Sequence, residues 1–166
     1  MPSAELQAAL EAAEAATQVV RDLYRKNLAV TVKADRSPVT EADVRAEEAI
    51  RGVLGQRFPG YGFFGEETGR HAMDAESLWL VDPIDGTKSF VRETPFFSTQ
   101  IALLRHGRIE LGVSAAPAYG ELAWAERGAG AWLDGRRIGV SAVASLDRAI
   151  LSTGNLKTLA AGLGWS

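Results

Sequence analysis

Three observations predict an α+β fold: an opening third with helical periodicity, two apolar runs that each stop in acidic residues, and a later series of short strand-like runs separated by glycine turns. The expected arrangement is two N-terminal helices packed on a mostly antiparallel sheet. One domain suffices for 166 residues, and a domain of this length buries about 70% of the surface its unfolded chain exposes.

From about Ala4 to Leu28, Leu6, Ala9, Leu10, Ala13, Thr17, Val20, Leu23 and Tyr24 recur at spacings of three and four, with Glu11, Glu14 and Arg21 between them. This is the signature of an amphipathic helix. "KADRSP" then has turn character. Thr40 opens a second helix whose inner face is expected to carry Val44, Ala49, Ile50, Val53 and Leu54, and "RFPGYG" ends it. "YGFFGEETG" and "SLWLV" are short apolar runs, so Glu66 and Glu67 follow one strand and Asp82 the next. The runs "STQIALL", "RIELGVSAAP", "ELAWAE" and "RRIGVS", divided by "RHG", "AYG", "RGAG" and "LDG", read as an antiparallel meander with Arg136 and Arg137 on a solvated hairpin edge. "AILS" is read as a last strand, followed by the start of a helix capped by Asn155 and striped by Leu156, Leu159 and Leu163. His71 and His106 are expected in loops.

Composition narrows the function classes. Hydrophobic residues at 46% and charged residues at 23% are ordinary globular proportions. A net charge of −3 without a block of lysines or arginines argues against a nucleic-acid surface. The absence of cysteine excludes disulfides, thiolate nucleophiles and thiolate metal sites. No basic segment followed by an apolar core opens the chain, and no apolar run approaches the roughly 18 residues of a membrane span, so the expectation is a cytoplasmic protein without membrane contact.

The chemistry concentrates in "VDPIDGTKSF", residues 81–90. Asp82 and Asp85 could each form a turn, and Glu66 and Glu67 could be a solvated pair. Yet two ionised carboxylates about 4 Å apart repel by on the order of 4 kcal/mol in a protein-like medium, so a cluster of three or four needs protons or a cation. Oxygen donors without histidine or sulfur suit Mg²⁺ or Mn²⁺ rather than Zn²⁺. A calcium loop counted from Asp82 fails, because its third and fifth positions are Ile84 and Gly86. Gly86 permits close backbone approach, and the N–H groups opening "TKSF" form an anion-binding helix start, although Thr87 could equally be a plain N-cap. Phosphatases that form an aspartyl-phosphate use a D-x-D-G-T pattern with one residue between the aspartates; two residues intervene here, which disfavours that covalent route.

Lys33 with "SPVTEAD" ending at Asp43, "GEE" at Gly65 to Glu67, and "WLVDPIDGTKSFV" at Trp79 to Val91 together resemble the inositol monophosphatase family, which includes histidinol-phosphate phosphatases, bisphosphate nucleotidases and fructose-1,6-bisphosphatases. The resemblance spans essentially all 166 residues and implies the sugar-phosphatase fold, a layered α-β-α architecture. It implies a site in which Glu66, Asp82 and the carbonyl of Ile84 hold one Mg²⁺, Asp82 and Asp85 help hold a second, and Glu66 touches a third. The phosphate would meet Asp85, Lys33 and the amides of Gly86 and Thr87, while Thr87 with Asp43 or Glu67 orients and deprotonates the attacking water. Without the resemblance, Asp43 could be only half of a capping box with Thr40, Lys33 a solvated loop cation and Lys88 a local charge balance. A homodimer and lithium sensitivity are further implications.

"DGTKSFVRETPFF" looks closer to the histidinol-phosphate phosphatases than to the inositol-type "DGTTNF", so the order of expected substrates is histidinol phosphate, then inositol-1-phosphate or sugar phosphates, then a 3′(2′),5′-bisphosphate nucleotide. Family members carry a second motif resembling W-D-x-A-A-G in a C-terminal portion. No such motif occurs here, and "AAGLGW" lacks the acid. The C-terminal α/β part is therefore expected to be largely absent, with weak occupancy of the second metal and little activity in these 166 residues alone. The alternative is a catalytically incomplete member whose surface serves assembly.

Overall fold

The computed structural model describes residues 2–26, 28–32 and 38–152. Lys33 and the expected helix start at Asn155, Leu156, Leu159 and Leu163 lie outside the described residues.

Helix α1 spans Ala4–Leu23 and is capped by Ser3, whose hydroxyl accepts the Leu6 N–H at 3.0 Å. It stops short of Leu28 because Tyr24 turns to extended backbone and Arg25 takes a φ of 60°. Its buried stripe is mostly alanine, with Ala8, Ala9, Ala12, Ala13 and Ala16 fully covered. Strands β1 (Val30–Val32) and β2 (Pro38–Thr40) pair antiparallel where the sequence suggests only a turn.

Helix α2 spans Glu41–Arg57. Its inner face differs from the expected one. Val44 is exposed and Ala49 and Val53 are half-buried, while Ala42, Asp43, Ala46, Glu47, Ile50 and Leu54 are buried. Thr40 and Asp43 form a capping box that fixes the phase of the first turn, and two acids on the inner face find donors there that hydropathy cannot register.

The remaining elements are β3 (Gly62–Gly65), β4 (Arg70–His71), β5 (Ser77–Asp85), α3 (Thr87–Val91), β6 (Ser98–Arg105), β7 (Arg108–Ala116), β8 (Glu121–Glu126), β9 (Gly130–Leu133) and β10 (Arg136–Ile138). Nine-residue β5 joins the meander into one eight-stranded sheet, ordered β10-β9-β8-β7-β6-β5-β3-β4. Only β3 and β5 run parallel. Three local expectations are corrected. β9 is a separate strand inside a stretch that glycine turns dominate at both ends; His71 sits in β4 rather than a loop; and "AILS" is not a strand, since Ile150 and Leu151 project into solvent with no partner strand to bury them. His106 does lie in the β6–β7 turn, and Arg136 and Arg137 do lie on an exposed edge.

Alternation along the strands decides what the sheet covers. One face presents Trp79, Ile101, Leu103, Leu111 and Val113, all buried under α1 and α2. The opposite face presents half-buried Phe64, Leu80, Ala102, Gly112, Trp124 and Trp132, which line an open groove of about 740 Å³. The described residues thus supply two layers of the expected three. Trp124 and Trp132 stand opposite each other across β8 and β9 and stack at 5.5 Å.

A polar knot fixes α1 to the sheet's near end: Arg105 donates to Glu5 at 2.8 Å, to the Tyr61 hydroxyl at 2.9 Å and to Ser77 at 2.9 Å. The Arg105 hydrogen bond, more than any other interaction, holds the Glu5 carboxyl below its ordinary range. Such a group stabilises the fold above the ordinary glutamate pKa and ceases to do so as pH falls through its lowered folded value. Glu5→Gln should therefore lower the urea midpoint at pH 7, with the gap to the unsubstituted chain closing at more acidic pH; a pH-independent gap would contradict this linkage. Ala12→Leu should cost about 1–3 kcal/mol in the same assay, because Ala12 is fully buried and a larger side chain overpacks the contact of α1 with its neighbours.

Candidate active site

The stretch from Asp82 to Thr87 is shaped by a β-bulge. Asp82 pairs with Gln100 and Asp85 with Ser98, so Pro83 and Ile84 stand opposite Thr99 alone. On a regular strand residues three apart face opposite sides; the extra residue cancels that offset and brings Asp82 and Asp85 to one face. Pro83 suits the bulge because it has no N–H to leave unpaired, and the buried Thr99 hydroxyl donates to its carbonyl at 2.8 Å. Strand β5 therefore continues through Asp85 rather than stopping at Asp82 as the sequence suggests.

The chain then reverses at Gly86, whose φ is 96°; a Cβ there would lie 2.7 Å from the Phe96 carbonyl oxygen. Gly86 takes the N-cap position of α3 without a side-chain cap. Thr87 is thus the first helical residue, not the cap, and its hydroxyl is released for other work. It lies 3.1 Å from both Asp43 Oδ1 and the Ile84 carbonyl and shares its single proton with them. Asp43 is almost fully buried, and its other oxygen accepts the Thr40 N–H at 2.8 Å and the Thr40 hydroxyl at 2.7 Å. The capping box and the link to Thr87 coexist in one carboxylate.

One helical turn further on, Glu47 reaches the other side of the site. It accepts the backbone N–H of Glu67 at 2.8 Å and of Thr68 at 2.6 Å. Sequence reasoning leaves Glu47 out; its only signal was a spacing of four from Asp43. The turn it grips carries Glu66, which is exposed and hydrogen-bonds the carboxyl of half-buried Asp82. Glu67 is half-buried in the same turn.

These placements bring Glu66, Asp82 and Asp85 into mutual range. Burial first, then the charges of Glu66 and Asp85, push the Asp82 carboxyl up to about 7, against the opposing pull of the Ile84 N–H, which it accepts at 3.1 Å. Among the described residues no three acid or histidine side chains stand ready-spaced around an ion. The donor chemistry nevertheless fits one: the candidate ligating atoms are all hard oxygens, from half-buried Asp82, exposed Glu66 and Asp85 and the Ile84 carbonyl, and the crowding raises the Asp82 carboxyl in the absence of a cation.

The sequence profile describing the inositol monophosphatase family matches residues 2–158. A histidinol-phosphatase of Chlorobaculum parvum is 47% identical over 141 residues, covering 84% of this chain and 54% of that protein. An inositol-1-monophosphatase of Caulobacter vibrioides is 42% identical over 149 residues, covering 85% of this chain and 58% of that protein. Among solved structures, the extragenic suppressor protein suhB of Bartonella henselae superposes with a TM-score of 0.81 at 38% identity, covering 85% of this chain and 56% of that one. The chain spans a little over half the length of these relatives.

A carboxyl raised to about 7 in the folded state keeps a proton that the unfolded chain releases near pH 4, so stability should decline as pH rises between the two values. Urea unfolding in a metal chelator from pH 4 to pH 8 should show this decline. Asp82→Asn should flatten it, and parallel profiles for the two chains would refute the crowding.

Proposed function

Since the chain belongs to the inositol monophosphatase family, we propose that it carries the metal-binding and water-activating part of a phosphomonoesterase acting on a small polyol, sugar or amino-alcohol phosphate. The observation that carries this reading is the meeting of two systems: the hydrogen bond from half-buried Thr87 to buried Asp43, and the crowded carboxylates Glu66, Asp82 and Asp85.

Glu66, Asp82 and the Ile84 carbonyl would hold one Mg²⁺, with Mn²⁺ as a substitute, and Asp82 and Asp85 would contribute to a second. Bound there, the ions supply charge neutralisation at the phosphate and acidify a coordinated water. The protein's own groups do the rest. Thr87 directs its proton toward Asp43 and the Ile84 carbonyl, which leaves its oxygen to accept a hydrogen bond from the attacking water. As the water oxygen bonds to phosphorus, its proton passes to the Thr87 oxygen while the Thr87 proton moves to Asp43; the ester P–O bond breaks and the departing alkoxide takes a proton from solvent. Glu67 is the alternative base, reached without Thr87. Asp85, Lys33 and the amides of Gly86 and Thr87 would hold the phosphate oxygens.

Histidinol phosphate leads the proposed substrates, supported by the lysine at position 88 and by the name of the Chlorobaculum parvum relative, with inositol-1-phosphate next and a bisphosphate nucleotide after it. Lithium inhibition, a homodimer built on α1 and the meander, and a cytoplasmic setting belong to the same proposal. Among the described residues no helix is long and apolar enough to cross a membrane. A second reading, a catalytically incomplete chain that serves assembly, is favoured by the open apolar groove on the sheet.

Calorimetric titration separates the two: Mg²⁺ binding that disappears in Asp82→Asn supports the enzyme, and no Asp82-dependent binding supports assembly. Phosphate release from histidinol phosphate should be slow for this chain alone. It should fall to background in Asp82→Asn and Glu66→Gln, and by about a hundredfold in Thr87→Ala, the scale of a lost proton-transfer partner. Rates unchanged in either carboxylate variant would defeat the assignment.

A further inference from the structure

Glu47 has no role in the reaction described above, yet its side chain is 0% exposed. Burying a carboxylate is strongly unfavourable unless its lone pairs are filled by good donors. Three donors fill them here: the Glu67 N–H on Oε2 at 2.8 Å, and the Thr68 N–H and Thr68 hydroxyl on Oε1 at 2.6 and 2.5 Å. All three belong to the turn between β3 and β4, which is closed by the Gly65 N–H donating to the Gly69 carbonyl at 3.0 Å. The approach is as close as backbone permits, since a Cβ on Gly65 would lie 2.2 Å from Glu47 Oε1. A four-residue connection closes without help from a buried charge, so the clamp serves something beyond closure. What the turn carries is Glu66, directed at Asp82.

We infer that Glu47 is a positioning residue: by gripping the Glu67 and Thr68 amides from beneath, it fixes where Glu66 stands and thereby sets how tightly the carboxylate pocket holds a divalent cation. This rests on reading that pocket as a metal site. The divalent ion meets Glu66 and Asp82 directly; Glu47 acts one layer behind them, on the backbone. In Glu47→Gln the amide nitrogen must face one of the turn's own N–H donors, so one hold on the turn is lost while side-chain volume is kept. In Gly65→Ala the new methyl drives the intact carboxylate away from the turn.

The test titrates Mn²⁺ into the full chain and follows amide hydrogen exchange by NMR in parallel. Glu47→Gln should bind Mn²⁺ about ten- to a hundredfold more weakly, the range typical of lost outer-shell support. Exchange at Glu67 and Thr68 should quicken while that at Ile50 and Leu54 in α2 is unchanged. Gly65→Ala should show the same pair of effects, and decides the matter if Glu47→Gln does not fold. Unchanged Mn²⁺ affinity in a folded variant, or weakened affinity with protection at Glu67 and Thr68 intact, overturns the inference. Absence of Asp82-dependent Mn²⁺ binding in the unsubstituted chain sinks the phosphatase reading separately; the grip on the turn is then decided by the amides alone, and unaltered exchange in Glu47→Gln overturns it.

Discussion

Two carboxylates one turn apart on the buried face of α2 hold the site together. Asp43 faces α3 and takes the Thr87 hydroxyl; Glu47 faces the β3–β4 turn and takes its amides. Residues four apart lie on one side of a helix about 6 Å from each other, so α2 acts as a ruler between the water-activating threonine and the turn that bears Glu66. Neither acid could be neutralised harmlessly, because each fills donors that burial would otherwise leave unpaired. The helix is in turn seated on β5, whose far end supplies Asp82 and Asp85. Local order at three distant stretches of chain thus depends on a single helix keeping its rotation.

That rotation is what the sequence conceals. Apolar periodicity located α2 but placed Val44 inward, because a hydropathy count treats Asp43 and Glu47 as solvent-facing. In helix α1, rich in alanine and free of buried charge, Leu6, Ala9, Ala13, Thr17 and Val20 are buried as the periodicity predicts, but Leu10, Leu23 and Tyr24 are only half-buried, Ala8, Ala12 and Ala16 take covered positions instead, and the helix ends at Leu23. The meander is legible at β6, β7, β8 and β10 but not at β9, since left-handed turns at His106–Gly107 and Asp134–Gly135 mark its hairpins. The bulge at Pro83 and Ile84 was not, because it depends on the register with β6, a property of two strands rather than one. β1, β2 and β9 have four residues or fewer, too short for any period to emerge.

Acidic residues at a strand's end were visible at once; their crowding was not. The carboxyl of Asp82 is displaced because a buried strand delivers it beside Glu66 and Asp85, and Glu66 arrives from the turn between β3 and β4, a separate stretch of chain. A fold that tolerates such repulsion violates a local rule at one place and satisfies it elsewhere, which is the usual mark of a working site rather than of a structural one.

The two margins of the large sheet also differ from its middle. β4 is only two residues long and ends in Arg70 and His71, and β10 presents Arg136 and Arg137, all exposed. Short, cationic borders repel an incoming strand and cannot template cross-β growth. The described margins of the sheet therefore discourage ribbon-like growth by strand addition.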